Sequence, residues 1–425
     1  MKKKTVRLRK GRVAAVALIA AISICAVYSS CSDKIERDAK LANAGSQAVV
    51  TQPPTEPPTT QPPTEPPVVD KRIHIVATGD NLVQTAVYRN AQQHAGDGVS
   101  YNFKPMYENV RHIIEGADIS IINQETLICN GEYEISGSNF NFNSPVELGQ
   151  DMIDIGFDVF TIANNHVLDK GTGGLSATLD YWDEKALYND IVVCGAYRNE
   201  ADANNIRTME IDGVTIAFLA YTEHMNGYRM PASSEMRVVL TSEEDVMEAQ
   251  IREASEIADV VITAMHWGVE DTHTVSEDRK ELAQKLVDWG CDVILGTHPH
   301  TAETMEYITR ADGSRGFVYY SLGNFISAQT DNFNVVGEIA DFTVVVDGET
   351  GEVTLEDVYA IPVINHYDDG KFSNMRLYPY NMYTSELADG HGLPYAPLGT
   401  AKSFNMGVID RIIENNIPEE FRKLD

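Results

Sequence analysis

Asp292-Val293-Ile294-Leu295-Gly296-Thr297-His298-Pro299-His300 is a short apolar run that breaks into two imidazoles one residue apart. A strand ending in His-x-His aims both side chains from one loop at one point, and neutral imidazoles converge in this way on a divalent metal. Alone, the pair reads as surface loop chemistry; its weight comes from four segments with the same layout. Residues 72 to 78 run into Gly79-Asp80, 119 to 122 into Asn123-Gln124-Glu125, 157 to 163 into Asn164-Asn165-His166, and 260 to 265 into His266-Trp267-Gly268-Val269-Glu270. Helical periodicity fills the intervals at 147–155, 175–187, 242–257 and 277–289. Strands alternating with helices predict an α/β fold, in which strand ends along one sheet edge form the ligand crevice. Taken singly, Asp80 reads as a helix N-cap and Asn164-Asn165 as a turn tolerant of left-handed backbone. Trp267 reads as packing, and Ser321 to Phe325 as a structural loop capped by Asn324.

Together, Gly79-Asp80, Asn123-x-Glu125, Asn164-Asn165-His166, His266-Trp267-Gly268-x-Glu270, Gly296-x-His298-Pro299-His300 and Ser321-Leu322-Gly323-Asn324-Phe325 resemble the CapA family of poly-γ-glutamate capsule synthesis proteins. That family is similar to the calcineurin-like metallophosphoesterases, so the resemblance implies a four-layer α-β-β-α sandwich over roughly residues 72 to 330. It makes Asp80, Glu125, Asn165, His266, His298 and His300 the metal ligands of two divalent ions drawn from Mn, Fe, Mg or Zn, with His166 as the acid beside the scissile bond. A bridging carboxylate and a shared hydroxide aimed at phosphorus suit such a pair. Asn164, Trp267, Glu270, Glu223, His224 and Asn324 fall around them as substrate-contacting or supporting residues. One departure stands out. The family's relatives usually carry Asp-x-His in the first motif, but the residue two after Asp80 is Leu82, which ligates nothing. Water, His224, Glu223 or a vacancy then takes that position.

The N-terminus predicts location. Seven basic residues between Lys2 and Arg12 precede the uncharged apolar run 13 to 27 and Ser29-Ser30-Cys31, the layout of a secretory signal. Cys31 after two serines resembles a bacterial lipoprotein site; Tyr28 departs from the usual Leu, which leaves an uncleaved anchor as the other route. Residues 32–71 form a Thr/Pro/Glu-rich linker whose repeat, from Thr51 to Pro67, reads as extended polyproline II without a core. The domain follows at 72–365, with 366–425 as a C-terminal extension packed on it. There, 335–346 and 352–364 read as two strands joined by an Asp347-Gly348 turn, residues 389–393 as an irregular wrap, and 404–415 as an amphipathic helix.

Beyond the leader, 26 basic residues stand against 63 acidic ones, a balance of −37. A surface this acidic excludes nucleic acid as a partner, and a polyanion could be handled only where local cations or divalent ions offset the field. Cys129, Cys194 and Cys291 are odd in number and widely spaced, which predicts buried thiols instead of a disulfide framework. The resemblance implies capsule polymer synthesis, export or anchoring at the extracytoplasmic face of the membrane, with synthase subunits and the membrane as partners. It leaves three activities to separate: metal-assisted chemistry at a phosphoester, non-catalytic polymer binding within an assembly, and a broad extracellular phosphoesterase.

Overall fold

The computed structural model describes residues 69–425 apart from Asp97, Asn130, Glu132, Asn139, Phe140 and Leu398. The leader, Cys31 and most of the linker lie outside these residues. Among those described, no helix is long and apolar enough to cross a membrane.

Two sheets carry the chain. The first contains β1 (Lys71–Asn81), β2 (Ile119–Asn123), β5 (Val159–Thr161), β6 (Val192–Cys194), β13 (Asn324–Ile326), β14 (Val336–Val346), β15 (Val353–His366) and β16 (Arg376–Pro379). Its order is β16-β15-β14-β1-β2-β5-β6, with β13 pairing the end of β1. The second contains β7 (Arg207–Ile211), β8 (Val214–Thr222), β9 (Val260–His266), β10 (Val293–Thr297), β11 (Met305–Thr309) and β12 (Arg315–Tyr319), ordered β11-β12-β10-β9-β8-β7. A small hairpin, β3 (Ser136–Ser138) and β4 (Asn141–Asn143), stands apart from both. Residues beyond 365 contribute β16, which pairs antiparallel with β15.

Alternation along β8 shows how the layers stack. Ile216, Phe218 and Ala220 join the large core cluster that also holds the apolar residues of the first sheet, while Ala217, Leu219 and Tyr221 face a second cluster. Tyr319 of β12 and Phe342 of β14 meet across the inner layer, ring centroids 6.3 Å apart. Long helices cover the outer faces: α1 (Thr85–Gln93), α2 (Lys104–Ile114), α3 (Glu147–Ile155), α4 (Gly171–Ala186), α5 (Glu244–Ile257), α6 (Glu277–Trp289) and α7 (Met406–Asn416). Met106, Tyr107, Val110 and Ile114 of α2 fall in the first cluster; Met247, Ile251 and Ala254 of α5 and Ala283, Leu286 and Val287 of α6 fall in the second. This i, i+3, i+4 spacing makes one apolar stripe per helix. Helix α6 also carries clear ends: the Ser276 hydroxyl accepts from Arg279 N–H, Glu277 and Asp278 fill the first turn, and Gly290 closes it at φ +123°. Cys129, Cys194 and Cys291 are buried thiols; burial pushes Cys194 and Cys291 up to about 12.

Strand register decides where the polar tips land. In the first sheet Asp80 pairs with Asn123 and Asn123 with Thr161; in the second Thr222 pairs with His266 and His266 with Thr297. The two rows of parallel strand ends therefore bring motifs from five distant segments to one rim.

Candidate metal centre

Asp80 anchors the centre from the end of β1. Its carboxylate accepts from Asn123 Nδ2 at 2.7 Å, from the His298 backbone N–H at 3.3 Å and from the His300 ring Nδ1 at 2.9 Å. Asp80 N–H in turn donates to Gly323 O at 2.9 Å. That approach needs Gly79, since a Cβ there would lie 1.9 Å from Gly323 O. The His298-Pro299-His300 tip is strained: His298 has φ +97° and His300 φ +59°, a region that costs non-glycine residues about 1–3 kcal/mol each. Hydrogen bonds hold it there, with Asp271 N–H donating to Pro299 O and the Asn324 and Asn334 amides donating to His300 O.

Glu125 sits in the middle, 1 % exposed. Its Oε1 lies 3.8 Å from His166 Nε2, 3.9 Å from His266 Nε2 and 3.8 Å from His300 Nε2. Yet both of its carboxylate oxygens, and His298 Nδ1, are buried without a hydrogen-bond partner. Buried carboxylate oxygens and a buried imidazole nitrogen without hydrogen-bond partners are groups that a cation would satisfy. Two groups have ligand atoms within 4.8 Å of one another: Asp80, Glu125 and His300, and Glu270, His298 and His300. The mixed oxygen and nitrogen donors fit a divalent ion of the Mn, Fe, Mg or Zn kind.

Electrostatics agree with this arrangement. Burial, then the neighbouring Asp80, holds the Glu125 carboxyl well above the ordinary carboxylate range. Burial, then the other imidazoles, holds His266 and His298 well below the usual histidine value, which keeps them neutral as ligands must be. At His300 burial works downward, but Glu125 and Asp80 outweigh it and push the ring up to about 10. The surplus carboxylate charge around His300 is what a divalent cation neutralises.

The remaining sequence-derived residues divide into two groups. Asn165 Oδ1 lies 3.0 Å from His266 Nε2, so it faces the centre. The His166 ring is held by Asp169, whose Oδ2 is 2.8 Å from Nδ1, and by the edge-on ring of Phe142, 4.5 Å away. The His224 ring packs at 5.0 Å on His298. Away from the centre, Asn164 shapes the turn by accepting from His166 N–H, Glu223 accepts from Gly268 N–H, and Trp267 donates to Tyr320 O and packs in the outer core. Asn324 secures the His300 backbone and also donates to Asn334 O. Neither Glu223 nor His224 is in the two ligand groups; Glu270 is, although sequence reasoning gave it a supporting place. Asp169, Asn123 and Thr297, whose Oγ1 lies 3.0 Å from His266 Nδ1, were missed as site residues. The i, i+3 spacing of His166 and Asp169 was the available signal for the first of these.

A model of the family described as bacterial capsule synthesis protein PGA_cap matches residues 74–329. The PGA biosynthesis protein CapA of Bacillus subtilis is 27% identical over 251 residues, which cover 59% of this chain and 62% of that protein. The capsule biosynthesis protein CapA of Bacillus anthracis is 26% identical over 264 residues, 61% of each. This chain thus spans about three fifths of the length of those relatives. Among solved structures, the NAD nucleotidase of Haemophilus influenzae is a loose match, 12% identical with a TM-score of 0.42, covering 84% of this chain and 64% of that one.

Proposed function

The chain belongs to the bacterial capsule synthesis protein family PGA_cap, and on that premise we propose that it serves capsule polymer synthesis, export or anchoring through a divalent-metal centre of the phosphoesterase type. In this reading the fold is that of a metallophosphoesterase, and the protein is held at the extracytoplasmic membrane face by an acylated Cys31 or by a retained leader. The observation that carries the proposal is the buried Glu125 carboxylate, without hydrogen-bond partners, ringed by His166, His266 and His300.

Asp80, Glu125, Asn165, His266, Glu270, His298 and His300 would hold two divalent ions. When bound, such ions supply Lewis-acid polarisation of a phosphoryl oxygen and acidify water. His166 does the proton chemistry. Its Nδ1–H donates to Asp169, which leaves Nε2, on the Glu125 side, as the atom that takes up a proton from solvent and, in the imidazolium, gives it to a leaving oxygen. The strained histidine tip and the Asp80 hydrogen bonds keep the imidazoles oriented before any ligand arrives.

The test is turnover of phosphomonoesters and phosphodiesters by the full-length chain, stripped of metal and then reloaded with Mn, Mg, Zn or Fe. Reloading should restore activity, and His166→Ala should lower it about 10²–10⁴-fold while metal content stays that of the wild type. Tight metal binding without turnover would instead favour a centre that binds polymer within an assembly. Activity that survives both metal removal and His166→Ala would end the proposal.

A further inference from the structure

We propose that the cleft between α1 and the 368–375 loop, lined by Arg89 and Lys371, is an anion-binding subsite for a chain bearing repeated carboxylates. The ligand class rests on the capsule-polymer reading above, but the binding does not depend on turnover.

Charge singles the cleft out. The whole chain carries a net charge of −30, and each of four other clefts on it includes acidic side chains, such as Glu244 and Asp278, Glu223 and Glu243, Asp183 and Asp202, or Glu235. The Arg89 cleft, about 650 Å³, is lined by two cations and no acid. Arg89 and Lys371 are both exposed, and neither makes a salt bridge among the described residues. The acids nearest to Lys371 are turned into their own loop by hydrogen bonds, although Asp369 still feels the Lys371 charge and offsets part of it. Asp368 pairs with Arg376 and accepts from Asn374, while Asp369 accepts from the Lys371 and Ser373 backbone N–H groups and the Ser373 hydroxyl. In a strongly negative molecule, two cations without a salt bridge in a cleft that no acid lines make this the least negative of these concave surfaces, where an anion is least repelled.

The cleft is also preorganised. Asn90, buried beside Arg89, donates to Phe372 O at 2.7 Å and accepts from Met375 N–H at 3.1 Å. One side chain thus ties the helix bearing Arg89 to the loop bearing Lys371, so the backbone that carries the two cations is already in place and only their side chains order when an anion binds. Phe372 itself sits at φ +62° and packs on Tyr367, ring centroids 4.8 Å apart.

Position links the cleft to the metal centre. Gln84, in its lining, lies four residues past Asp80, and Ala328, also in its lining, lies four past Asn324. The Gln84 amide oxygen accepts from Ala328 N–H and joins the two segments. Gly137 and Ser138 of β3 line the cleft, while Phe142 of the paired strand β4 touches the His166 ring. Segments that start at the centre therefore end in the cleft, as an extended ligand occupying both would require.

The experiment measures anisotropy of a fluorescently labelled γ-linked glutamate oligomer against the full-length chain after its metal has been stripped and the chelator dialysed away, so failure of the metal centre cannot mimic failure of the cleft. Arg89→Glu/Lys371→Glu is compared with Lys280→Glu/Arg411→Glu, an equal charge change at exposed positions outside the cleft lining. Thermal unfolding verifies that both doubles remain folded. The expected result is at least about tenfold weaker binding in the first double and less than about twofold in the second. Equal weakening in both would reduce the effect to the overall field, and absence of binding by the wild type would reject the subsite. Inorganic phosphate competing as well as the oligomer, per carboxylate, would make the site one for a lone anion and overturn the chain ligand.

Discussion

Protonation of one imidazole sets an acid limit on this fold. His391 is 1 % exposed; its Nε2 lies 3.1 Å from Asn365 O and its Nδ1 accepts from Leu393 N–H at 2.9 Å. Those partners require the neutral tautomer with hydrogen on Nε2, because a second ring hydrogen would oppose an N–H. Burial, reinforced by the neighbouring His366 ring, holds His391 down to about 3 from an ordinary 6.5. The folded value is depressed, so the contribution to stability is present above about 6.5 and is lost as pH falls toward 3. His391→Gln should therefore be more destabilising at pH 7 than at pH 4.5 in urea unfolding, the other acid-sensitive groups cancelling between variant and wild type. A gap that does not change with pH would refute the tautomer lock. The same scale shows what could be read in the candidate centre from sequence. Asp80, Glu125, Asn165, His266, His298 and His300 stood out because each ends a strand-length apolar run, and the structure brings them together. Asp169 and Thr297 did not, since a hydrogen bond to another residue's ring has no pattern of its own along the chain, and Asn123, though part of the Asn123-x-Glu125 motif, shows its role only through its bond to the Asp80 carboxylate. The arrangement also gives Glu270 a closer place than its spacing suggested.

At the level of elements, the seam between β1 and the loop before β13 is the least tolerant of change. Gly79→Ala would drive a Cβ into the Gly323 carbonyl, and backbone has to move to admit it. Overpacking of this kind costs about 1–3 kcal/mol. The same shift would break the Asp80 N–H to Gly323 O bond, so metal affinity should fall along with stability. Gly96→Ala, with nothing within 4 Å of the new Cβ, is the matched control and should change unfolding by less than about 0.5 kcal/mol. Equal urea midpoints for the two variants would show that the seam is loose. Elements were legible where they carry their own signal: the helices at Glu147–Ile155 and Glu277–Trp289 match their apolar periodicity, and β14 and β15 flank the expected Asp347-Gly348 turn. Others carry none. Strand β8 alternates between two apolar cores, so its sequence is apolar nearly throughout with no polar face to mark a period, the three-residue strands of the β3–β4 hairpin are too short for a pattern, and β16 owes its conformation to pairing with β15.

For the whole molecule, the centre is where two sheets share one rim, with Asp80, Glu125 and Asn165 arriving on the first and His266, Glu270, His298 and His300 on the second. A divalent ion held by both sheets would stabilise the native state alone, by about 2.7 kcal/mol at a hundredfold excess over its dissociation constant. Apo protein faces the opposite situation, because Glu125 is buried beside Asp80 with neither carboxylate oxygen hydrogen-bonded. Glu125→Gln removes the unpaired acid but also removes a ligand. Its two consequences have opposite signs: in EDTA the variant should melt at or above the wild-type temperature, and with saturating metal it should melt below it. The wild type should gain several degrees from metal, and the variant much less. Loss of stability in EDTA alone would mean that Glu125 makes a structural contact worth more than its charge costs. An equal metal-induced shift in both proteins would mean that ions bind without Glu125, and the two sheets would then not be joined through it.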